Sequence, residues 1–378
     1  MKSDDADDNY DQKGDHIECT LKEIGMSNCH TPTTPILLGH HTLQKVFHQD
    51  GNIIGQIVTF NALSELAKDV PKKKIYQKTS HGVGRIFVKY HVPGIVEPVW
   101  QCGTGFCIKK GIVMSAGHVF TFKVDKNAPI ETQEMQKNLK YQKIYIYFGP
   151  HASLDVDGLP VSMDNFYELE SLGRDFDQKF KAPLSSTDLN GKTFHWNPAN
   201  DLEVLKFKEK PPKHVKILLP MLPTNPQAVD HYVMGYPGFV TLDKFKADYD
   251  VSSVKLGLES LYIEVVKGTR YFENKTVFIG KVVKIENNVI THLCPTLAGT
   301  SGGILANTEQ KRKFVGVHLG GSQEIGNIAI SVTHPLFWDI YETYVLKNDD
   351  KFIKKNLKHL KEYLIYFNYI KLNKEKIN

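Results

Sequence analysis

With 378 residues, 41% of them hydrophobic, the chain is long enough for two or three packed units, each with its own core. A balance of 47 Lys and Arg against 42 Asp and Glu, net +5, is too mild to argue for nucleic acid as a partner, and no run reaches the roughly 18 apolar residues that would cross a bilayer. Five cysteines are an odd number, which excludes a fully paired disulfide framework and favours a reducing compartment.

Residues 1–16 are acidic and polar, a composition expected to stay disordered. They hold no apolar core for a secretory signal, so the expected location is cytoplasmic, with a non-classical export route as the alternative. Residues 17–75 carry Ile53-Ile54, Ile57-Val58 and Phe60, then a helical patch at Leu63, Leu66 and Ala67, and close on Pro71-Lys72-Lys73-Lys74. His16, Cys19, Cys29 and His30 could be drawn as a zinc site, but their spacings are irregular and no metal is assigned. Residues 1–78 are therefore set apart as an N-terminal extension.

A strand is expected at Gly84–Tyr90. Cys102–Ile108 and Ile112–Val113, separated by Lys109-Lys110-Gly111, read as a β-hairpin, with His118 just past the small pair Ala116-Gly117. Lys143–Phe148 alternates as a strand, and the stretch from His151 to Lys192 is polar enough to be inserted loops. Asp201 opens a further strand whose apolar members are Leu202, Val204 and Phe207, with Leu205 breaking the alternation. Glu203, two positions on, should share a face with Asp201. Pro211-Pro212 through Pro226 reads as a crossover.

Thr296–Leu305 holds Ser301 between glycines, in a tight turn between two strands. Glycine there lets a backbone approach the serine hydroxyl, and the amides of Gly299 and Ser301 can converge on one developing negative charge. Gly-Ser-Gly alone is more often a surface turn; the reading depends on the other segments. At the C-terminus, Trp338–Leu346 precedes Ile353, Leu357, Leu360, Leu364 and Phe367 at helical spacing. Lys351, Lys354, Lys355, Lys358 and Lys361 lie between them.

Gly-Thr-Gly-Phe, Ser-Ala-Gly-His-Val, Asn-Asp-Leu-Glu-Val-Leu, Gly-Tyr-Pro-Gly and Gly-Thr-Ser-Gly-Gly, in that order, resemble the trypsin-like (chymotrypsin-fold) serine peptidases over roughly residues 80–340. The resemblance implies an all-β fold of two packed six-stranded antiparallel β-barrels with an N-terminal extension and C-terminal helices. The peptidase domain is placed at 79–346, with barrel one about 84–219 and barrel two about 229–334, and a basic helix at 347–378. It implies that Ser301, His118 and Asp201 act as nucleophile, base and orienting carboxylate, with Gly299 and Ser301 as oxyanion donors.

Val119 stands where many secreted relatives carry a disulfide cysteine. Thr300 replaces the aspartate of zymogen-activated relatives, so activity is expected without that cleavage switch. Thr296 and His318, with Gly320, are expected to line the specificity pocket, a pairing similar to that of glutamyl endopeptidases and viral 3C-like proteases, which implies cleavage after Glu or Gln. Protein or peptide substrates are the implied partners, and no cofactor is needed. The alternatives are an inactive peptidase fold used for binding, or a binder of nucleic acid or a membrane surface through the basic C-terminal helix.

Overall fold

The computed structural model describes residues 73–122, 129–150, 154–155, 159–172, 201–223, 226–239, 242, 271–322, 326–347, 349–357 and 360, together with the backbone of five further strands. The expected disorder of residues 1–16, the zinc candidates, the patch at Leu63, Leu66 and Ala67, most of the polar stretch 151–192, and Leu364 and Phe367 lie outside these residues.

Three strands come first: β1 (Ile36–Leu38), β2 (Leu43–Phe47) and β3 (Ile53–Thr59), followed by α1 (Lys73–Ser80). Then come β4 (Val83–Tyr90), β5 (Val99–Lys109) and β6 (Ile112–Ala116), helix α2 (Ile130–Lys137), β7 (Tyr141–Tyr147) and β8 (Phe166–Ser171). A small ribbon pairs β9 (Leu184–Thr187) with β10 (Thr193–Trp196), and β11 (Leu202–Phe207) completes the first half. Six of these strands close a barrel in the order β11-β6-β5-β4-β7-β8.

Strand β11 shows why strict alternation fails here. Leu205 pairs with Val113 and Phe207 with Leu169, on one face, while Leu202 and Val204 pair with Ala116 and Met114 on the other. All of these side chains, on both faces, are buried. One face fills the barrel and the other meets the rest of the molecule, so both carry apolar residues.

A crossover strand, β12 (Leu219–Pro220), leads to β13 (His231–Gly235), β14 (Thr276–Gly280), β15 (Val282–Glu286), β16 (Val289–His292) and β17 (Ile304–Asn307). The set ends with β18 (Lys313–Phe314), β19 (Gly316–Ser322) and β20 (Gly326–Ser331). The sheet order is β1-β2-β3-β14-β13-β17-β19-β20-β16-β15. Only Lys281 separates β14 from β15, yet β14 pairs with β13 and β15 with β16 at the far end. One bent strand therefore turns the sheet back on itself, as a barrel does. A Cβ on Gly280 would stand 2.6 Å from the Cys294 amide, so the bend leaves no room for a side chain.

The fold is chymotrypsin-like: a closed six-stranded barrel and a curled second sheet. The extension is not merely appended. Its β3 pairs antiparallel with β14, from Thr59↔Thr276 to Gln56↔Ile279, and prolongs the second sheet.

Helix α3 (Pro335–Tyr341) begins with His334, whose Nδ1 accepts the Leu336 amide at 3.0 Å, and buries Leu336, Phe337, Trp338, Ile340 and Tyr341. A wider helical turn (Glu342–Leu346) leads to α4 (Asp350–Asn356), capped by Asp349. Phe106, Phe314 and Phe337 stack edge to face at 4.9 and 5.8 Å between ring centres. They tie the first barrel, the short β12–β18 pair and α3 into one core.

Candidate active site

His118 lies in a single 3₁₀ turn, Gly117–Phe120, directly after β6. Asp201 immediately precedes β11, and because β11 pairs with β6 at Leu202↔Ala116, two segments 83 residues apart in the chain meet. His118 Nδ1 lies 2.7 Å from Asp201 Oδ1, and the same oxygen accepts the His118 backbone amide at 3.1 Å. Side-chain and main-chain bonds to one oxygen fix the ring's position, and a carboxylate at Nδ1 puts the proton there, leaving Nε2 free to act as a base. Among the described residues Asp201 Oδ2 is buried without a hydrogen-bond partner, and both bonds that the carboxylate makes go to His118 through Oδ1. Glu203 is kept apart from this pair. It accepts a hydrogen bond from Ser171 on β8.

The turn carrying Ser301 is built against the middle of β5, at Thr104, and the end of β6. The Thr104 amide donates to the Ser301 carbonyl at 2.8 Å, and the Gly302 amide to the His318 carbonyl at 2.7 Å. Gly299 and Gly302 adopt φ of +90° and +84°, a region that side chains resist. At Gly302 a Cβ would meet the Thr104 carbonyl at 2.1 Å and Ser115 Oγ at 2.3 Å. The turn thus presses on the strand that delivers His118, whose Ala116 amide is 2.8 Å from the same point. The amides of Gly299 and Ser301 carry no hydrogen bond among the described residues. Ser301 Oγ donates to the Leu319 carbonyl at 3.0 Å, not to His118. That carbonyl belongs to a β-bulge on β19, between His318 and Gly320.

His318, Thr296 and Gly320 are all buried beside this turn. The His318 Nδ1 is 3.2 Å from His292 Nε2, and His292 Nδ1 accepts the Cys294 amide at 3.3 Å. Burial, then the charge of His118, holds the His318 ring down to about 3, with the Ile328 carbonyl opposing; burial also lowers His292 well below the ordinary imidazole range. Both rings are neutral at physiological pH. Thr296 Oγ1 bonds Asn327 Oδ1 at 3.1 Å, and Asn327 Nδ2 donates to the Cys294 carbonyl at 2.6 Å.

Sequence reasoning missed four contributors. Thr104 sits within Gly-Thr-Gly-Phe, yet its hydroxyl acts in a way that motif does not show. It donates to the Gly299 carbonyl at 3.0 Å and accepts the Tyr236 amide at 2.9 Å. Ser115 donates to the Thr104 carbonyl at 2.6 Å. His292 and Asn327 carry no motif, and the pairing of β16 with β20, His292 opposite Asn327, brings them to His318 and Thr296.

A family model described as a trypsin-like peptidase domain matches residues 103–317, which span the His118 turn, Asp201 and the Ser301 turn. The chain belongs to the trypsin-like peptidase family. No curated protein matches this peptidase significantly. Solved structures similar to it include Deg5, at 16% identity over 68% of this chain and 87% of that one, with a TM-score of 0.37. Another is the active form of the Rv3671c protease from M. tuberculosis, at 15% identity over 68% of this chain and 78% of that one, TM-score 0.35. A Glu endopeptidase in complex with MPD matches at 16% identity over 72% of this chain and 94% of that one, TM-score 0.41.

Proposed function

We propose that this peptidase is a serine endopeptidase in which Ser301 attacks the scissile carbonyl. His118 Nε2 takes the hydroxyl proton and later gives it to the leaving amine, and Asp201 stabilises the imidazolium that forms between those steps. The free amides of Gly299 and Ser301 receive the tetrahedral oxyanion. The observation that carries this reading is the 2.7 Å contact of His118 with Asp201 on the strand end against which the Ser301 turn is pressed. Attack requires the Ser301 hydroxyl to turn from the Leu319 carbonyl to His118, since catalytic hydrogen bonds of this kind often form only once substrate arrives. A fluorophosphonate serine probe should label the wild-type protein and leave Ser301→Ala unlabelled. Equal labelling, or none of either, would sink the assignment.

Thr296, His318 and Gly320 are read as the wall that receives the side chain before the cut. A neutral His318 favours an uncharged carboxamide, because a glutamate carboxylate would be buried without a counter-charge. We therefore read the pocket as selecting Gln ahead of Glu at neutral pH, with Glu improving as pH falls and a proton accompanies it in. The check is a peptide library profiled at pH 5.5 and 7.5. Preference for Arg, Lys or a large aromatic residue refutes the pocket, and a Glu-to-Gln ratio that does not rise on acidification refutes the role of the neutral histidine.

A further inference from the structure

Cys102 is free and half-buried, on the face of β5 that also carries Thr104. Across the β4–β5 ladder the same face carries Phe87, directly opposite Cys102, and Arg85, opposite Thr104. A Cβ placed on Gly238 would fall 3.1 Å from Cys102 Sγ, 3.6 Å from the Ala298 carbonyl and 3.9 Å from Gly299 Cα. The Gly238 backbone therefore lies between the sulfur and the loop that holds the Gly299 amide. Gly238 is itself bonded through its amide to the Ala298 carbonyl at 2.6 Å. In a close-packed interior a displacement of Gly238 passes directly to that loop.

A second observation concerns Arg85, which is 1% exposed. Its guanidinium lies over the Phe87 ring, 5.0 Å from the centroid, and donates to the Phe272 carbonyl. Its Nε is buried without a partner, and no carboxylate pairs with it among the described residues. A guanidinium buried without a counter-charge favours an anion beside it. Phe87, Phe272 and Cys102 belong to one packed cluster, so the thiol and the uncompensated cation share a patch.

We propose that Cys102 is a modification site at which an anionic low-molecular-weight disulfide, glutathione disulfide in chemical class, forms a mixed disulfide that shuts the peptidase down. The Cys102 thiolate attacks one sulfur of the reagent. A new S–S bond forms, the reagent's own S–S bond breaks, and the departing thiolate takes up the proton that Cys102 gave to solvent. The added group pushes Gly238 toward Gly299 and swings the Gly299 amide out of line. A thiol reductant reverses the step.

The loss of activity rests on the peptidase reading; the modification itself does not. The test treats the full-length chain at low ionic strength with glutathione disulfide, with neutral 2-hydroxyethyl disulfide and with cationic cystamine. Adducts are located by peptide mass spectrometry, and peptide cleavage is followed alongside. Cys102 should react ahead of the buried Cys107 and Cys294, several-fold faster with the anionic reagent than with the cationic one. Cleavage should fall by about a hundredfold, the scale of one lost oxyanion donor, and return on reduction. Cys102→Ser should cleave at the untreated rate and resist inhibition. Absence of a Cys102 adduct, a Cys102 adduct with full activity, or equal inhibition of Cys102→Ser overturns the proposal. A chain that cleaves nothing before treatment counts against the peptidase reading alone. In that case amide hydrogen exchange decides: the adduct must speed exchange at the Gly238 amide, and unchanged exchange overturns the proposal.

Discussion

Thr104 shows how one hydroxyl can serve a site it never enters. It bridges the Gly299 carbonyl and the Tyr236 amide, so it holds in place the residue whose own amide is proposed to receive the oxyanion. Thr104→Val keeps the shape and removes both bonds, leaving a buried carbonyl and a buried amide unpaired, a cost of about 1–3 kcal/mol for each unsatisfied group. We predict a lower kcat with an almost unchanged KM, because the oxyanion exists only after attack. Steady-state kinetics would show it, and a rise in KM at constant kcat would mean that Thr104 holds substrate instead. The motif around Thr104 was legible in the sequence. What the hydroxyl does was not, because both partners lie more than a hundred residues away along the chain.

Elements follow the same rule. Helix α4 has an exposed face with Lys351, Lys354 and Lys355 and a packed side continued by the buried Leu357 and Leu360. Lys109, at the end of β5, anchors the preceding turn through the Val345 carbonyl at 2.8 Å and Asp349 at 3.1 Å. Leu357→Ala should cost about 2–5 kcal/mol, whereas Lys355→Ala should stay within roughly 0.5 kcal/mol, both read as shifts in a urea midpoint. A reversed order would mean that the helix serves through its lysines. Helical spacing pointed to a helix from Ile353 onward, but α4 spans Asp350–Asn356 and ends before Leu357, whereas alternation made β7 readable. The bent strand β14–β15 and the pairing of β3 with β14 were not readable, since each is settled by which distant edge remains open. The carboxylate at Asp201 was distinguished from Glu203 by motif. The structure adds the reason: Glu203 is occupied by Ser171, while Asp201 stands at the strand end where the chain turns toward His118.

At the scale of the whole molecule, the buried titratable groups set a pH window for stability. Burial holds His334 down to about 4 and His318 to about 3, and lowers His292 and His231 as well. In the unfolded chain each imidazole regains an ordinary value near 6.5. Between the two values the unfolded state binds a proton that the folded state refuses, so this contribution is complete above about 6.5 and is lost as pH falls toward 4. Lys275, fully buried and held down to about 7, acts in the same direction from its ordinary 10.5: folding gains as pH rises from 7. Burial pushes the Cys107 thiol up to about 12 and raises Cys294 as well, so the unfolded chain sheds those protons first. Above about 9 two thiols therefore outweigh one lysine, and the maximum should fall near that pH. On the acid side, roughly 1.4 kcal/mol should be lost per buried imidazole for each pH unit below 6.5. His334 allows this to be isolated, because its ring also caps α3. His334→Asn keeps a capping side chain and removes one titrating group. Urea unfolding at pH 5 and pH 7.5 should then show a smaller loss on acidification for the variant than for the wild type, by about 2 kcal/mol. Equal losses in the two proteins would mean that His334 takes up its proton in the folded state as readily as in the unfolded one.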